Sequence, residues 1–357
     1  MLDAGGLADY TGTPLYDGND GARVTGTDNT TAFQTLVNKA LTAGKSTVRI
    51  PAGQWAIKTG NLSFASFDRL SIVGDGIGVT VLDFVREDVS RSSYVDNDGA
   101  NAAHCIAKFE TGNYLEFRDL TIKATTKNGF VNGLSGPSNS STAYYGAVWG
   151  FKAKNVKEVV CNRVRIEHFN YRGLSVYGSA TASVTLNQCE GFSNTSTGYW
   201  IQDASILRIN GGEFSYNGIL GDMSTGYGVT ASSNVGRVIS IGAHYFRNYR
   251  KGLDTHGCGG MLAIGNVFED NLVYHLSAPN WSVPAGVTDA VFKIKDNTFS
   301  SGENADSIAW LTSAYAAIVA AGYTTQAVYL GGIVRIADVS SNGTRQNKIK
   351  RIEFHGN

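Results

Sequence analysis

Six phenylalanines constrain this chain more than any other feature. Phe169, Phe192, Phe214, Phe246, Phe268 and Phe299 are separated by 23, 22, 32, 22 and 31 residues. Each belongs to a unit made of an apolar strand, a polar turn, a glycine and a second short strand. The strands leading into them read Val164-Arg165-Ile166, Leu207-Arg208-Ile209, Val238-Ile239-Ser240-Ile241, Met261-Leu262-Ala263-Ile264 and Phe292-Lys293-Ile294. Less regular copies stand at Leu70-Ser71-Ile72, Leu115-Glu116-Phe117 and Leu120-Thr121-Ile122. A propeller needs four strands per blade at a steadier period, and a dinucleotide-binding fold needs long helices between its strands. Short strands recurring without such helices fit a solenoid, in which each coil buries its apolar side chains on those of its neighbours. The expected fold is a single right-handed parallel β-helix, all-β, with phenylalanine stacked on phenylalanine inside it.

Composition agrees with a stack of tight turns. There are 43 Gly and only 5 Pro in 357 residues, with no three-residue period, which excludes collagen. Aromatics at 11% exclude wholesale disorder. Thirty basic residues balance thirty acidic ones, so no overall field draws the chain to nucleic acid or anionic lipid, and neither partner is expected. Met1-Leu2-Asp3-Ala4-Gly5 has no basic or apolar character of a secretory signal, and none is expected. The most apolar stretch, 308–321, is broken by Thr312 and Ser313 and reads as a helix rather than a membrane span. Cys105, Cys161, Cys189 and Cys258 lack metal-type spacing and read as buried free thiols. Asp and Asn side chains suit calcium, but no loop has EF-hand spacing; no cofactor and no metal are expected.

Three regions follow. Residues 1–46 form an N-terminal segment with a capping helix. Thr31-Ala32-Phe33-Gln34 reads as its capping box, Phe33, Leu36, Val37, Ala40 and Leu41 as its apolar stripe, and Gly44 as its end. Residues 47–302 form the β-helix. Residues 303–357 close it with a helix over 305–322 and strands at 328–336 and 349–354.

The run Asp28-Asn29-Thr30-Thr31-Ala32-Phe33-Gln34, then Ile50-Pro51-Ala52-Gly53, then Ile72-Val73-Gly74-Asp75-Gly76, resembles the opening of pectate-lyase-superfamily proteins, most of all bacteriophage tailspike depolymerases. The resemblance covers roughly residues 17 to 84, and the coil pattern extends it to about 300. It implies a homotrimer on a virion tail that binds or cuts a bacterial capsular or surface polysaccharide outside the cell. No trimerisation or head-binding domain is recognisable, so the chain reads as one domain of a larger spike. The fold carries lyases, hydrolases, epimerases and adhesins alike, so the chemistry must come from the site.

Aligned on their glycines, the second strands begin Gly173-Leu174-Ser175-Val176-Tyr177, Gly198-Tyr199-Trp200-Ile201-Gln202, Gly226-Tyr227-Gly228-Val229-Thr230 and Gly252-Leu253-Asp254-Thr255-His256, followed by Val273-Tyr274-His275-Leu276-Ser277. Alternation then turns Leu174, Tyr199, Tyr227, Leu253 and Tyr274 inward. One outward column is Ser175, Trp200, Gly228, Asp254 and His275; the other is Tyr177, Gln202, Thr230, His256 and Ser277. In this register Asp254 neighbours both His275 and His256, Gly228 leaves a gap beside it, and Arg172, Arg250 and Lys251 bring positive charge. Trp200 and Tyr177 offer faces for sugar rings, and Gln202 and Tyr249 complete the binding surface. Lys251-Gly252-Leu253-Asp254-Thr255-His256 also resembles the Tyr-Gly-X-Asp-Pro-His motif of mannuronan epimerases. Lys251 stands in place of its Tyr and Thr255 in place of its Pro, and the proton-handling role of that Tyr falls to Lys251, Tyr177 or Tyr249.

Two chemistries compete. Elimination at a uronic acid needs a cation for the carboxylate, a base for the C5 proton and an acid for the leaving oxygen. Arg250, Lys251, Arg172, His256, His275 and Tyr177 supply those types, with Asp254 orienting an imidazole. Glycoside hydrolysis needs two carboxyl groups no more than about 9.5 Å apart. Asp203 lies too far from Asp254 by register, and Glu190 and Glu213 fall on another wall. The first expectation is therefore a polysaccharide lyase. A glycoside hydrolase, with an inter-subunit carboxylate, and a non-catalytic glycan-binding adhesin remain as alternatives. His104, His168, His244 and His355 read as structural, and Gly74-Asp75-Gly76-Ile77-Gly78 as a turn rather than a phosphate loop.

Overall fold

The computed structural model describes residues 27–86, 91–92, 105–126, 144–145, 149–220, 225–279, 284–285, 287, 289–322, 332–337 and 349–356. The N-terminal segment before residue 27, His104 and the start of the strand expected at 328–336 lie outside these residues. Among the described residues, twenty-three strands form one continuous parallel sheet wound into a β-helix. Each regular coil contributes three strands, one to each of three walls. In one coil these are Arg172–Tyr177, Ser183–Asn187 and Glu190–Phe192; in the next they are Thr197–Ile201, Ile206–Asn210 and Glu213–Ser215. Every strand pairs in register with its equivalent one coil away, as in Leu186↔Ile209 and Tyr199↔Leu174. Earlier coils run through the corners unbroken, so Cys105–Thr126 and Trp149–Glu167 are 22 and 19 residues long.

The corners are turned by residues in left-handed backbone. Asp119, Arg163 and Gln188 stack at one corner with φ of 57°, 51° and 50°, and Gly211 continues the series at 67°. Such a conformation is strained for a residue with a Cβ and is held by the walls on both sides.

The interior is apolar, but its order differs from the phenylalanine count. Phe214, Tyr245, Phe268 and Phe299 stack with ring centroids 5.4, 4.7 and 5.0 Å apart. Phe169 is also fully buried. Phe192 and Phe246 lie on the outer surface, where they flank Tyr216 at 5.8 and 5.3 Å. Gly191, not Phe192, pairs with Phe214, and Tyr245 takes the inward slot beside Phe246, its hydroxyl 2.8 Å from Ser240 Oγ. At one corner runs a buried asparagine ladder that ends at Asn271: Asn194, Asn217 and Asn248 each give an amide N–H to the side-chain carbonyl of the next asparagine, at 3.0, 3.0 and 2.8 Å. The four cysteines are buried thiols outside any disulfide.

The first helix spans Thr30–Thr42 and buries Ala32, Phe33 and Val37 against the core. Thr31 lies inside it, so the expected capping box does not form. Asp28 does that work: its Oδ1 accepts from the Thr30 N–H at 3.0 Å and from the Lys58 N–H at 2.9 Å, tying the helix start to the first coil. A second helix, Ala305–Ala320, is inserted between the strands Thr298–Ser300 and Gly332–Ala337, with Asn304 as N-cap to Ser307. Its Ala314 and Ile318 pack on Leu272 and Val273. The strands Gly332–Ala337 and Ile349–His355 then add to the walls in parallel. No helix among the described residues is long and apolar enough to cross a membrane.

Candidate functional site

The candidate site lies on the wall that contains Lys251–Thr255. Its register is Lys152–Ser175–Trp200–Thr230–Asp254–Ser277–Arg335 along one outward column. Three residues earlier runs a second column, Trp149–Arg172–Thr197, then Tyr227–Lys251–Tyr274. Backbone bonds from Gln202, Ser232 and His256 to the preceding coil extend the wall through Tyr177–Gln202–Ser232–His256.

Two coils therefore sit two residues away from the glycine-anchored alignment. Gly228, not Gly226, occupies the close-packed corner: a Cβ there would lie 2.6 Å from Gly252 O, and one on Gly252 would lie 2.5 Å from His275 O. In the last coil that corner position is His275 itself. Tyr227 and Tyr274 consequently face outward, and Gly228 leaves no gap beside Asp254, whose neighbour is Thr230. His275 points inward and leaves the site. Its Nδ1 lies 3.2 Å from Asn271 Nδ2 and its Nε2 3.0 Å from Ser301 Oγ, extending the asparagine ladder. Burial pushes its pKa down to about 4, so it stays neutral near pH 7.

Asp254 is fully buried between two partners. Lys251 Nζ donates to Oδ1 at 2.6 Å, and His256 Nε2 lies 2.8 Å from Oδ2. Burial pushes this carboxyl up, but the Lys251 ammonium and the His256 ring outweigh it and hold it well below the usual carboxylate range. Lys251 is as deeply buried, and burial followed by the repulsion of Arg250 lowers its pKa against the pull of Asp254. It cannot touch a polymer; it positions Asp254. The His256 side chain keeps 27% of its surface exposed and is the member of the trio that reaches solvent.

Tyr227, which glycine alignment turned inward, joins this trio. Its ring meets the His256 ring edge to face at 6.1 Å, and its hydroxyl accepts from Arg250 Nη1. Burial, against the opposing charge of Arg250, pushes the phenol up to about 12, so it remains a proton carrier at neutral pH.

The other expected residues separate. Arg172 lies 3.9 Å over the Trp200 ring and 4.2 Å over that of Tyr171, whose hydroxyl accepts from it at 2.6 Å. Trp200 is therefore a platform for Arg172, with 4% of its surface exposed, rather than an open face for a sugar ring. Tyr177 packs beside Trp200 at 6.5 Å and is likewise buried. Gln202 donates to Asp203 at 3.1 Å. Tyr249 leaves the wall and packs on Trp310 of the second helix at 5.7 Å. Arg335, which sequence alignment did not reach, stands 5.7 Å from the Tyr274 ring and lowers the pKa of Lys251 by its charge.

Carboxylates on the other walls are engaged elsewhere: Glu190 pairs with Arg165 at 2.5 Å, and Glu213 and Glu269 flank His244 at 3.7 and 3.4 Å. Asp203 accepts from Gln202 and Asn234. Among the described residues no group of three or more His, Cys, Asp or Glu is arranged to hold a metal ion.

No family model and no curated protein matches this sequence. The solved structures to which the chain is similar include two Azotobacter vinelandii modules. One is the mannuronan C-5 epimerase AlgE6 A-module, at 15% identity and a TM-score of 0.37 over 83% of this chain and 85% of that one. The other is the mannuronan C-5 epimerase AlgE4 A-module, at 15% identity and a TM-score of 0.37 over 81% of this chain and 88% of that one.

Proposed function

We propose that this protein cleaves an acidic bacterial capsular or surface polysaccharide by β-elimination at a uronic acid. The observation that carries this reading is His256, held at 2.8 Å by a buried carboxylate that Lys251 pins in turn, beside Tyr227 and Arg250. With Nε2 turned to Asp254, the basic lone pair of a neutral His256 lies on Nδ1. That nitrogen takes the C5 proton, the C–H electrons form the C4=C5 double bond, and the C4–O bond breaks. The leaving oxygen receives the Tyr227 proton, and Arg250, already bonded to the phenol oxygen, stabilises the phenolate that remains. Arg250 also faces the uronate carboxylate, whose neutralisation acidifies C5.

Hydrolysis is less well served. It needs one carboxyl that is protonated and one that is not. Asp254 is held ionised by the Lys251 ammonium and the His256 ring, and Asp203 is the next carboxylate at this face among the described residues. The tailspike-like opening motif supports a homotrimer on a virion tail that works outside the host cell; sedimentation equilibrium tests the trimer. Incubation with a panel of bacterial capsules tests the chemistry. Elimination is expected to give a rising ultraviolet absorbance from the unsaturated uronate with each chain cut. Shortening without that absorbance assigns a hydrolase, and binding without shortening assigns an adhesin.

A further inference from the structure

The column that ends in His256 runs back through Ser232, Gln202, Tyr177, Lys154 and Glu110, and each coil then turns a corner. In three successive coils one left-handed residue makes that corner: Ser66, Thr111 and Asn155, with φ of 58°, 58° and 53°. The strands Leu62–Val73, Cys105–Thr126 and Trp149–Glu167 pass through it unbroken. In the next coil a turn over 178–182 separates Arg172–Tyr177 from Ser183–Asn187, closed by the Thr181 N–H on the Gly178 carbonyl at 3.0 Å. Gly178 has φ of 104°, and a Cβ on it would lie 2.3 Å from Asn155 Oδ1. Glycine thus lets the longer corner settle onto Asn155, and Ser179 and Ala180 stand exposed beside the tight corners as a ledge.

Against that ledge lies a groove of about 620 Å³. Two ranks of side chains line it. Ser66, Thr111 and Asn155 form one; Asp68, Asn113 and Lys157, two residues further along each strand, form the other. Members of a rank are one coil, about 4.8 Å, apart. All but Asn155 are exposed, and Asn113 Nδ2 donates to Asp68 Oδ1 at 2.7 Å. One ammonium is matched by one carboxylate, so the lining favours neither a polyanion nor a polycation. Its aromatic side chain, Phe67, is buried against Gly112 and offers no face to a nucleic-acid base. Hydroxyl, carboxamide and carboxylate groups spaced by coils instead supply donors and acceptors for the vicinal hydroxyl groups of a sugar.

We infer that this groove is a separate glycan site that takes about two or three neutral sugar units, a ligand of the size such a volume holds. By register it lies four to six coils from His256, about 19–29 Å along the axis. A long polysaccharide threaded along this edge reaches both places, and a short one reaches only one. That second role rests on the polysaccharide reading above; binding in the groove does not.

The probes are cellotriose, maltotriose and triacetylchitotriose, neutral trisaccharides that differ in linkage or substituent. Saturation-transfer NMR titrations of the wild-type protein are expected to show at least one of them bound. Asp68→Ala removes a charged acceptor and should weaken binding about 10-fold, and Asn113→Ala about 5-fold. Asp68→Asn keeps an acceptor and should recover part of the loss. Ser179→Trp fills the groove from its ledge and should abolish binding. These side chains are exposed, so the urea midpoint should stay in place. The same losses are expected in the His256→Ala background. Binding of none of the three sugars, or binding that survives Ser179→Trp, overturns the inference. On a capsule that the wild type cuts, Ser179→Trp should raise KM and leave kcat unchanged; an unchanged KM overturns the groove's role in holding the polymer. Trisaccharide binding with no capsule cut by the wild type keeps the groove and removes the lyase.

Discussion

The Lys251–Asp254 pair allows structure and chemistry to be separated at one site. Both side chains are at most 2% exposed and meet at 2.6 Å. Asp254→Ala leaves a buried ammonium without its partner, for which a loss of about 3–5 kcal/mol is expected. Lys251→Met leaves Asp254 with His256, which reaches solvent, so a smaller loss of about 1–3 kcal/mol should follow. The apolar double variant Lys251→Met/Asp254→Leu removes both charges together and should lie close to the wild type, because burying an ion pair gains little over packing of similar volume. The sign with pH follows from the depressed carboxyl. Its contribution is complete above the unfolded pKa of about 3.9 and is lost only as pH falls through the lower folded value. The Asp254→Ala deficit should therefore be constant from pH 5 to 8 and shrink in acid. Urea titrations followed by circular dichroism and tryptophan fluorescence, required to coincide, give the four stabilities. The double variant should fold and not cut. A single-variant loss under about 1 kcal/mol, or a double variant no better than Asp254→Ala, refutes the account of a buried compensated pair.

Other outcomes follow from the same geometry. His256→Ala should abolish cutting while shifting the urea midpoint little, since its ring lies partly in solvent; retained cutting removes it from the site. Asp83 is fully buried, and burial raises its pKa to about 6 although Lys123 and the Gln54 and Thr125 hydrogen bonds oppose this. A raised carboxyl binds its proton in the folded state first, so stability should fall as pH rises from about 4 to 6; Asp83→Asn should flatten that slope and add up to about 3 kcal/mol at pH 7, read by urea titration. Asn248→Ala breaks the asparagine ladder in both directions and unpairs the Phe214 carbonyl, so a loss of about 2–5 kcal/mol is expected from thermal or urea melting, with Asn248→Asp recovering little.

What could be read in advance was periodicity, and what could not was register. A unit that recurs every 22 to 32 residues can bury its apolar side only by stacking, which is why the β-helix followed from the phenylalanines. Register needs an anchor within each coil, and glycine was a poor one. Gly226 and Gly228 both flank Tyr227 and both are closed to a Cβ, but Gly226 packs against Gly218 while Gly228 packs under the Gly252 carbonyl and so holds the corner position; the last coil has His275 there instead. A slip of two leaves Val229 inward and Thr230 outward but misplaces the residues before and at the corner, and it changes which residues become neighbours across coils. It moved His275 into the site and Tyr227 out of it. A better anchor stood in the sequence: Asn194, Asn248 and Asn271 each stand four residues before the corner positions Gly198, Gly252 and His275, whereas Asn217 stands eleven before Gly228 because the chain between them is longer.

The zero net charge is a sum over walls of opposite character. Glu167, Glu190, Glu213 and Glu269 lie on the wall of short strands, where Arg165 and His244 engage three of them. Lys152, Arg172, Arg250, Lys251 and Arg335 gather on the wall that holds Asp254. A solenoid makes such segregation easy, because a given coil position always returns to the same face and charge repeated once per coil accumulates there. Field strength at a face depends on that accumulation and not on the total, so a neutral chain can still concentrate a polyanion along one side.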